Sequence, residues 1–355
     1  MIQQPLLFSG NSNPKLAAKI AERMQTRVGS AMVGRFRNDE CRIEIRENVR
    51  GAEVFVIQSL CEIPKSSAVL QGGSVNDSLM ELLLMIDALR RASAQRITAV
   101  IPYYGYAKQD KKTRGREPIS AKLVANMLAA AGAARVVTLD LHAAQIQGFF
   151  DIPVDNLMAA PDLSNYLKRN DLQGDSIVVV SPDAGGVPRA ENFAKRLRST
   201  VAVIMKRRPE PDVSEVSNVV GEVAGRTAVV VDDMISTGGT LVKAAERLKD
   251  MGARDVYTLA THGIFAGDAI GQLEASPIKK VVVTNTIPRE SNGKIEVLSI
   301  AQILADAIKR ITANRSVSEL FSTSEDGTPA VDEHGEPLSS IDSVVAPTEP
   351  VPAGR

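Results

Sequence analysis

The sequence predicts an α/β protein with two similar domains, each built on a largely parallel sheet. Three observations carry this. Short β-branched runs alternate with stretches of helical periodicity along most of the chain. At 355 residues with 44% hydrophobic content, the chain is long enough for about two cores of ordinary size. The two halves also share a phrase, Ala130-Ala131-Gly132-Ala133-Ala134-Arg135-Val136 and Lys249-Asp250-Met251-Gly252-Ala253-Arg254-Asp255-Val256. Glycine at a helix end before a strand is common chemistry, so duplication and simple helix termination both remain open as its origin.

The strand-like runs, in order, are Ala52 to Gln58, Arg96 to Pro102, Arg135 to Leu141, Ser176 to Ser181, Val201 to Met205, Ala228 to Val231, Val256 to Thr261 and Lys280 to Val283. Between them, Asn76 to Ala92 places Leu79, Leu82, Leu83, Ile86 and Leu89 on one helical face. Further helices are expected over Ile119 to Ala131 and over Leu241 to Met251, the latter closed by Gly252. A domain boundary is placed near residue 155, giving domains over 1–155 and 156–321. After Phe321 the composition turns to Ser, Pro, Glu, Asp and Gly, so 322–355 is expected to be a disordered tail.

Lys plus Arg equals Asp plus Glu at 42 each, so no overall charge draws the protein toward nucleic acid or an acidic membrane surface. Any anion must be held by local geometry. The only cysteines, Cys41 and Cys61, are too few for a disulfide framework and fit a reducing compartment. The first residues lack a secretory pattern, and no apolar run reaches membrane-spanning length. The expectation is a cytoplasmic protein without nucleic-acid or membrane partners.

The most informative segment is Val229-Val230-Val231-Asp232-Asp233-Met234-Ile235-Ser236-Thr237-Gly238-Gly239-Thr240. An apolar strand ends and a glycine-bearing loop opens a helix, which aims backbone N–H groups at one point and suits a phosphate. The hydroxyls of Ser236, Thr237 and Thr240 add donors, while Gly238 and Gly239 admit a ligand close to the backbone. Two carboxylates beside a phosphate make sense if they accept hydrogen bonds from sugar hydroxyls or hold a metal. The segment lacks the Gly-Lys-Ser/Thr ending of a P-loop and the spacing of a dinucleotide fingerprint. It therefore reads as a ribose-phosphate site, and it resembles the 5-phosphoribosyl-1-pyrophosphate loop of phosphoribosyltransferases and ribose-phosphate pyrophosphokinases.

Other segments choose between these two families. The run from Asp140-Leu141-His142 to Asp155 resembles the pyrophosphokinase signature over its whole length, and His142 follows a strand, where open α/β sheets bind ligands. Tyr103 to Ser120 mixes aromatic and basic residues without apolar periodicity and reads as a loop, either solvated or closing on an anion. Ser181-Pro182-Asp183-Ala184-Gly185-Gly186 repeats the device of an acid and glycines after a strand, and Lys206-Arg207-Arg208-Pro209 follows the next one. Phe8 to Pro14, Thr284 to Pro288 and Ser316 to Phe321 also match, so the resemblance to the ribose-phosphate pyrophosphokinases covers roughly residues 6 to 321.

That resemblance implies two parallel-sheet domains of phosphoribosyltransferase-like type and transfer of the β,γ-diphosphate of ATP to the 1-hydroxyl of ribose 5-phosphate. It implies that Asp232, Asp233, Ser236, Thr237, Gly238, Gly239, Thr240 and Arg208 bind ribose 5-phosphate. Phe36, Asn38, Asp39, Glu40, Lys108, Gln109 and His142 are implied to bind ATP. His142 and Asp183 would hold Mg²⁺, and Lys206 and Arg208 would stabilise the transferring group. Inorganic phosphate as activator and a homohexamer are implied as well. The competing expectations are a phosphoribosyltransferase, or an inert subunit that keeps the fold.

The chain departs from the family pattern in three places. Asn38 and Asp39 stand in Phe36-Arg37-Asn38-Asp39-Glu40 where the family usually has Asp and Gly, which bears on nucleotide selectivity. The segment 62–74 is longer than the usual connection and is expected to be a surface insertion. Ser236 replaces a common Asp, removing a negative charge beside a bound phosphate while keeping a donor.

Overall fold

Two stacks of parallel strands organise the chain in the computed structural model, which describes residues 4–65, 72–210 and 213–321, the side chains of 206–217 excepted. The expected insertion at 62–74 falls partly outside these residues, and the expected disordered tail at 322–355 wholly outside them. The first compact unit comprises 1–158, 286–288 and 301–320; the second comprises 159–285, 289–300 and 321–355.

The first unit begins with β1 (Leu6–Ser9) and α1 (Pro14–Arg23), a helix with Asn13 as N-cap and Pro14 in its first turn. An antiparallel hairpin follows, β2 (Ala31–Arg35) and β3 (Cys41–Ile45), and then β4 (Glu53–Ile57). Next come α2 (Val75–Arg91), β5 (Arg96–Ile101), α3 (Ser120–Ala131), β6 (Arg135–Leu139) and β7 (Val154–Leu157). The sheet order is β1-β4-β5-β6-β7, every pair parallel. Val54 to Ile57 are all buried, as strands covered on both faces require. α2 starts at a reciprocal capping box between Ser74 and Asp77 and buries Leu79, Leu82, Met85, Ile86 and Leu89. Each such side chain contributes about 2 kcal/mol of burial. Leu83, expected on this face, is only half-buried, and Met85 takes the inward position.

The second unit runs α4 (Ala160–Arg169), β8 (Ile177–Ser181), α5 (Val187–Leu197), β9 (Thr200–Glu210), β10 (Val213–Val220), β11 (Thr227–Ile235) and α6 (Gly239–Asp250). It continues with β12 (Asp255–Gly263), α7 (Ala269–Ala275), β13 (Lys280–Thr284) and β14 (Ile295–Leu298). The sheet order is β10-β9-β8-β11-β12-β13-β14; only the β9–β10 pair is antiparallel. Both units are thus parallel α/β layers, the fold class the sequence predicts. Gly132 and Gly252 each end a helix at positive φ, 121° and 85°, so the shared phrase terminates a helix in both units.

The fold differs from the sequence expectation in two places. The last helix, α8 (Ala301–Thr312), packs on α1, and Lys309 Nζ donates to the Arg23 carbonyl at 2.9 Å, so it belongs to the first unit although the boundary near 155 assigned it to the second. Its buried face of Leu304, Ala305 and Ile308 needs an apolar partner, but periodicity does not say which one. Lys206 and Arg208 do not follow a strand; they lie within β9, which is prolonged because β10 pairs with it. Among the described residues no helix is long and apolar enough to cross a membrane.

Candidate active site

The second sheet has a notch at its carboxyl end. β8 pairs with β9 only as far as Ser181↔Val203 and with β11 only as far as Val230↔Val180, while both neighbours run on. Open α/β sheets bind ligands in such crevices. The segment after β8 carries Asp183, whose Oδ1 accepts from the Gly186 N–H at 3.0 Å and so caps the turn that opens α5. On one side β9 carries Lys206 and Arg208 in its prolonged part, though their side chains lie outside the described residues. On the other, β11 carries Asp232 and Asp233 beyond its β8 pairing, with only β12 alongside. The fold thus brings the backbones of Asp183, Lys206, Arg208, Asp232 and Asp233 to one end of three adjacent strands.

Beyond Ile235, residues Ser236 to Gly238 turn the chain into α6. Gly238 sits at φ 79°, in the left-handed region that glycine tolerates best, and its carbonyl accepts from the Leu241 and Val242 N–H groups. A methyl group on Gly239 would meet nothing within 4 Å, so the backbone there faces open space. Thr237 and Thr240 are exposed and Ser236 is half-buried. First-turn amides and hydroxyls thus stand together at a helix N-terminus, an arrangement suited to an anion.

The acid pair has a partner that sequence reasoning missed. Arg189, from α5, places Nη1 3.3 Å from Asp232 Oδ1 and Nη2 3.8 Å from Asp233 Oδ1. Asp233 also donates its backbone N–H to Asp232 Oδ1 at 2.9 Å. Burial, with the Asp233 carboxyl alongside, pushes the Asp232 carboxyl well above the usual carboxylate range, and Arg189 acts in the opposite direction. The signal available in the sequence was an arginine in the first turn of the helix after Asp183, which nothing in the sequence pairs with residues 43 positions on.

In the first unit, the loop after β5 and the turn after β6 meet. Gln145 Nε2, just past His142, donates to Asp110 Oδ2 at 2.8 Å, and Asp110 is buried while Lys108 and Gln109 are exposed. Asp140, before His142, holds φ 37°, a strained conformation of the kind that collects at functional sites. His142 itself is exposed. Phe36, Asn38, Asp39 and Glu40 do not stand on this sheet; they form the tip of the β2–β3 hairpin, where Phe36 is half exposed and Arg42 lies 5.5 Å over its ring.

No group of three or more acidic, histidine or cysteine ligands converges among the described residues. Mg²⁺ does not require one, because it keeps several waters and takes one or two protein ligands beside substrate phosphates. A carboxylate at a strand's carboxyl end, as at Asp183, suits that hard cation.

Two family models match the chain: the N-terminal domain of ribose phosphate pyrophosphokinase over residues 5–132, and the phosphoribosyl synthetase-associated domain over residues 210–322. A ribose-phosphate pyrophosphokinase of Caldanaerobacter subterraneus is 54% identical over 318 residues, covering 89% of this chain and 97% of that protein. One from Bacillus caldolyticus is 53% identical over the same length. The crystal structure of phosphoribosylpyrophosphate synthetase from Mycobacterium smegmatis superposes with a TM-score of 0.79 at 43% identity, covering 88% of this chain and all of that one. With matched models spanning more than half the chain and relatives of this identity over nearly their full length, the chain belongs to the ribose-phosphate pyrophosphokinase family.

Proposed function

We propose that the protein transfers the β,γ-diphosphate of ATP to the 1-hydroxyl of ribose 5-phosphate, giving 5-phosphoribosyl 1-pyrophosphate and AMP. The observation that carries this is the notch in the second sheet, where an acid pair and a helix-opening anion cradle stand one turn apart on a single strand–loop–helix segment. Carboxylates accept hydrogen bonds from vicinal sugar hydroxyls, and the cradle donates to a phosphate, so together they recognise a phosphorylated pentose.

Asp232 and Asp233 accept from the ribose hydroxyls, and Arg189 holds the two carboxylates in place. Ser236, Thr237 and Thr240, with the amides of Gly238 and Gly239, grip the 5-phosphate. Phe36, Asn38, Asp39 and Glu40 meet the base of ATP, and Lys108, Gln109 and His142 bind its remaining parts. Mg²⁺, held by His142 and Asp183, would draw charge from the ATP phosphates when bound. The sugar's 1-oxygen attacks the β-phosphorus and loses its proton, while the bond from that phosphorus to the α-phosphate oxygen breaks and AMP departs. Lys206 and Arg208 stabilise the charge that builds on the transferring group. The loop from Lys108 to Arg116 excludes water that would otherwise hydrolyse ATP.

The resemblance to the family supports a further part of the reading: a homohexamer activated by inorganic phosphate, with Ser316 to Phe321 in the region that answers to the phosphate. Sedimentation during phosphate titration tests it. The transfer itself is tested by coupled measurement of AMP release with Mg²⁺ and ribose 5-phosphate, using ATP, GTP and CTP in parallel. AMP release that depends on ribose 5-phosphate is expected; consumption of the activated sugar with a nucleobase, in its place, would make the chain a phosphoribosyltransferase.

A further inference from the structure

The hairpin tip assigned above to the nucleotide base holds Asp39 in a backbone region that glycine adopts more readily than aspartate. Phe36 N–H donates to the Glu40 carbonyl at 2.8 Å and Asp39 N–H to the Phe36 carbonyl at 3.0 Å, closing the tip. This arrangement forces Asp39 to φ 67°, the left-handed region where a Cβ is disfavoured and glycine is at ease. Resemblance to the family puts glycine at this position, so the departure at Asp39 falls where the backbone feels it most.

A neighbouring side chain restrains this turn. Arg35 Nη1 donates to the Asp39 carbonyl at 3.1 Å and lies 2.8 Å from Asp77 Oδ1. Asp77 is itself fixed, its Oδ2 accepting from Ser74 Oγ at 2.7 Å and from the Ser74 N–H at 2.6 Å in the box that caps α2. The Arg35 and Asp77 side chains are only 16% and 28% exposed, so water screens the pair incompletely. The hydrogen bond from Arg35 holds the Asp77 carboxyl down to about 2, so the pair stays ionised at any working pH. A second tie, Asn11 Nδ2 to the Val33 carbonyl at 3.0 Å, fixes the base of the same hairpin.

We propose that Arg35 and Asp77 are positioning residues for nucleotide-base recognition: α2 holds Asp77, Asp77 holds Arg35, and Arg35 holds the Asp39 turn that presents Phe36, Asn38 and Glu40. The proposal rests on the reading that this tip meets the base of ATP. Lysine would not substitute fully, because its shorter stem and strongly hydrated ammonium do not reproduce the place of Nη1 between the Asp77 carboxylate and the Asp39 carbonyl.

The test uses the full chain with Arg35→Met, Arg35→Lys and Asp77→Asn, each alone and combined with Asp39→Gly, and Phe36→Ala as a control on the underlying reading. For Arg35→Met, KM for ATP should rise about tenfold, as expected for losing a hydrogen bond to a charged group. KM for ribose 5-phosphate and kcat should change far less, and preference for ATP over GTP and CTP should narrow. Arg35→Lys should fall between Arg35→Met and the parent. Adding Asp39→Gly should recover most of the loss, since glycine adopts the turn without the clamp; a purely structural role for Arg35 would give no such recovery. If Phe36→Ala raises KM for ATP but the Arg35 and Asp77 variants do not, or if Asp39→Gly recovers nothing, the clamp is overturned and the base-binding reading stands. If Phe36→Ala leaves KM for ATP unchanged, the base-binding reading falls and takes the clamp with it. Should Arg35→Met fail to fold, Arg35→Lys supplies the same comparison.

Discussion

Asp232→Asn separates what the acid pair does for the fold from what it does for the substrate. The substitution is isosteric and keeps an oxygen to accept the Asp233 N–H, now at 2.9 Å. It removes the charge that burial and Asp233 both disfavour, and it removes one ion pair with Arg189 at 3.3 Å. Because the Asp232 carboxyl is pushed upward, neutralisation is favoured in balance and the variant should be more stable at neutral pH. A tenfold change in a protonation equilibrium is worth about 1.4 kcal/mol. The Asp232 side chain is 25% exposed, so solvent screening discounts the gain to about 1 kcal/mol, or about 2 to 4 °C in Tm for a domain of this size. The pH dependence has a definite sign. A carboxyl with a raised folded pKa favours folding at low pH and loses that contribution as pH rises through its folded value. The variant's advantage should therefore be absent in acid and grow toward alkaline pH. Activity should fall about a hundredfold in kcat/KM through loss of charged hydrogen bonds to sugar hydroxyls. Thermal melts across pH, with AMP release measured on the same samples, make the test. A lower Tm for the variant at pH 8 would refute the reasoning and show that attraction to Arg189 outweighs repulsion within the pair.

Further outcomes follow from the same geometry. Lys206→Ala should lower kcat about a hundredfold or more with a smaller change in KM for ribose 5-phosphate, as steady-state AMP release will show. Gly238→Ala forces a Cβ onto φ 79° and should cost about 1 to 2 kcal/mol while raising KM for ribose 5-phosphate, read by denaturant unfolding and kinetics. Glu81→Ala removes a buried carboxylate that accepts from Asn11 N at 3.2 Å, Asn11 Nδ2 at 2.9 Å and Gln58 Nε2 at 2.8 Å; the Asn11 N–H loses its acceptor and each side-chain amide keeps only its bond to the Val33 or Ser78 carbonyl, which should cost about 3 kcal/mol in urea unfolding.

The sheets and the sugar-phosphate loop were legible because their signals are local. An apolar strand buried on both faces, a glycine turn and a helix opening are all written within the segment from Val229 to Thr240, and the loop occurs there. Short edge elements were less legible. β1, β7 and β14 have only four residues each, too few for a period to show, and β10 becomes a strand only because β9 extends beside it. Long-range pairings carried no local signal at all. The Arg189 link to Asp232, the Gln145 link to Asp110 and the packing of α8 on α1 join residues far apart in sequence, so only folding reveals them. The unusual Asp39 was visible as a departure, while the positive φ that makes it matter, held by Arg35, was not.

Attack of the sugar's 1-oxygen on the β-phosphorus of ATP is the step on which everything else depends. Ribose 5-phosphate labelled with ¹⁸O at the 1-hydroxyl, incubated with the protein, Mg²⁺ and ATP, tests this directly by ³¹P NMR and mass spectrometry. The label should appear in the bond between sugar and diphosphate, with AMP formed in equal amount. Formation of ADP, or label lost from the sugar, would contradict it.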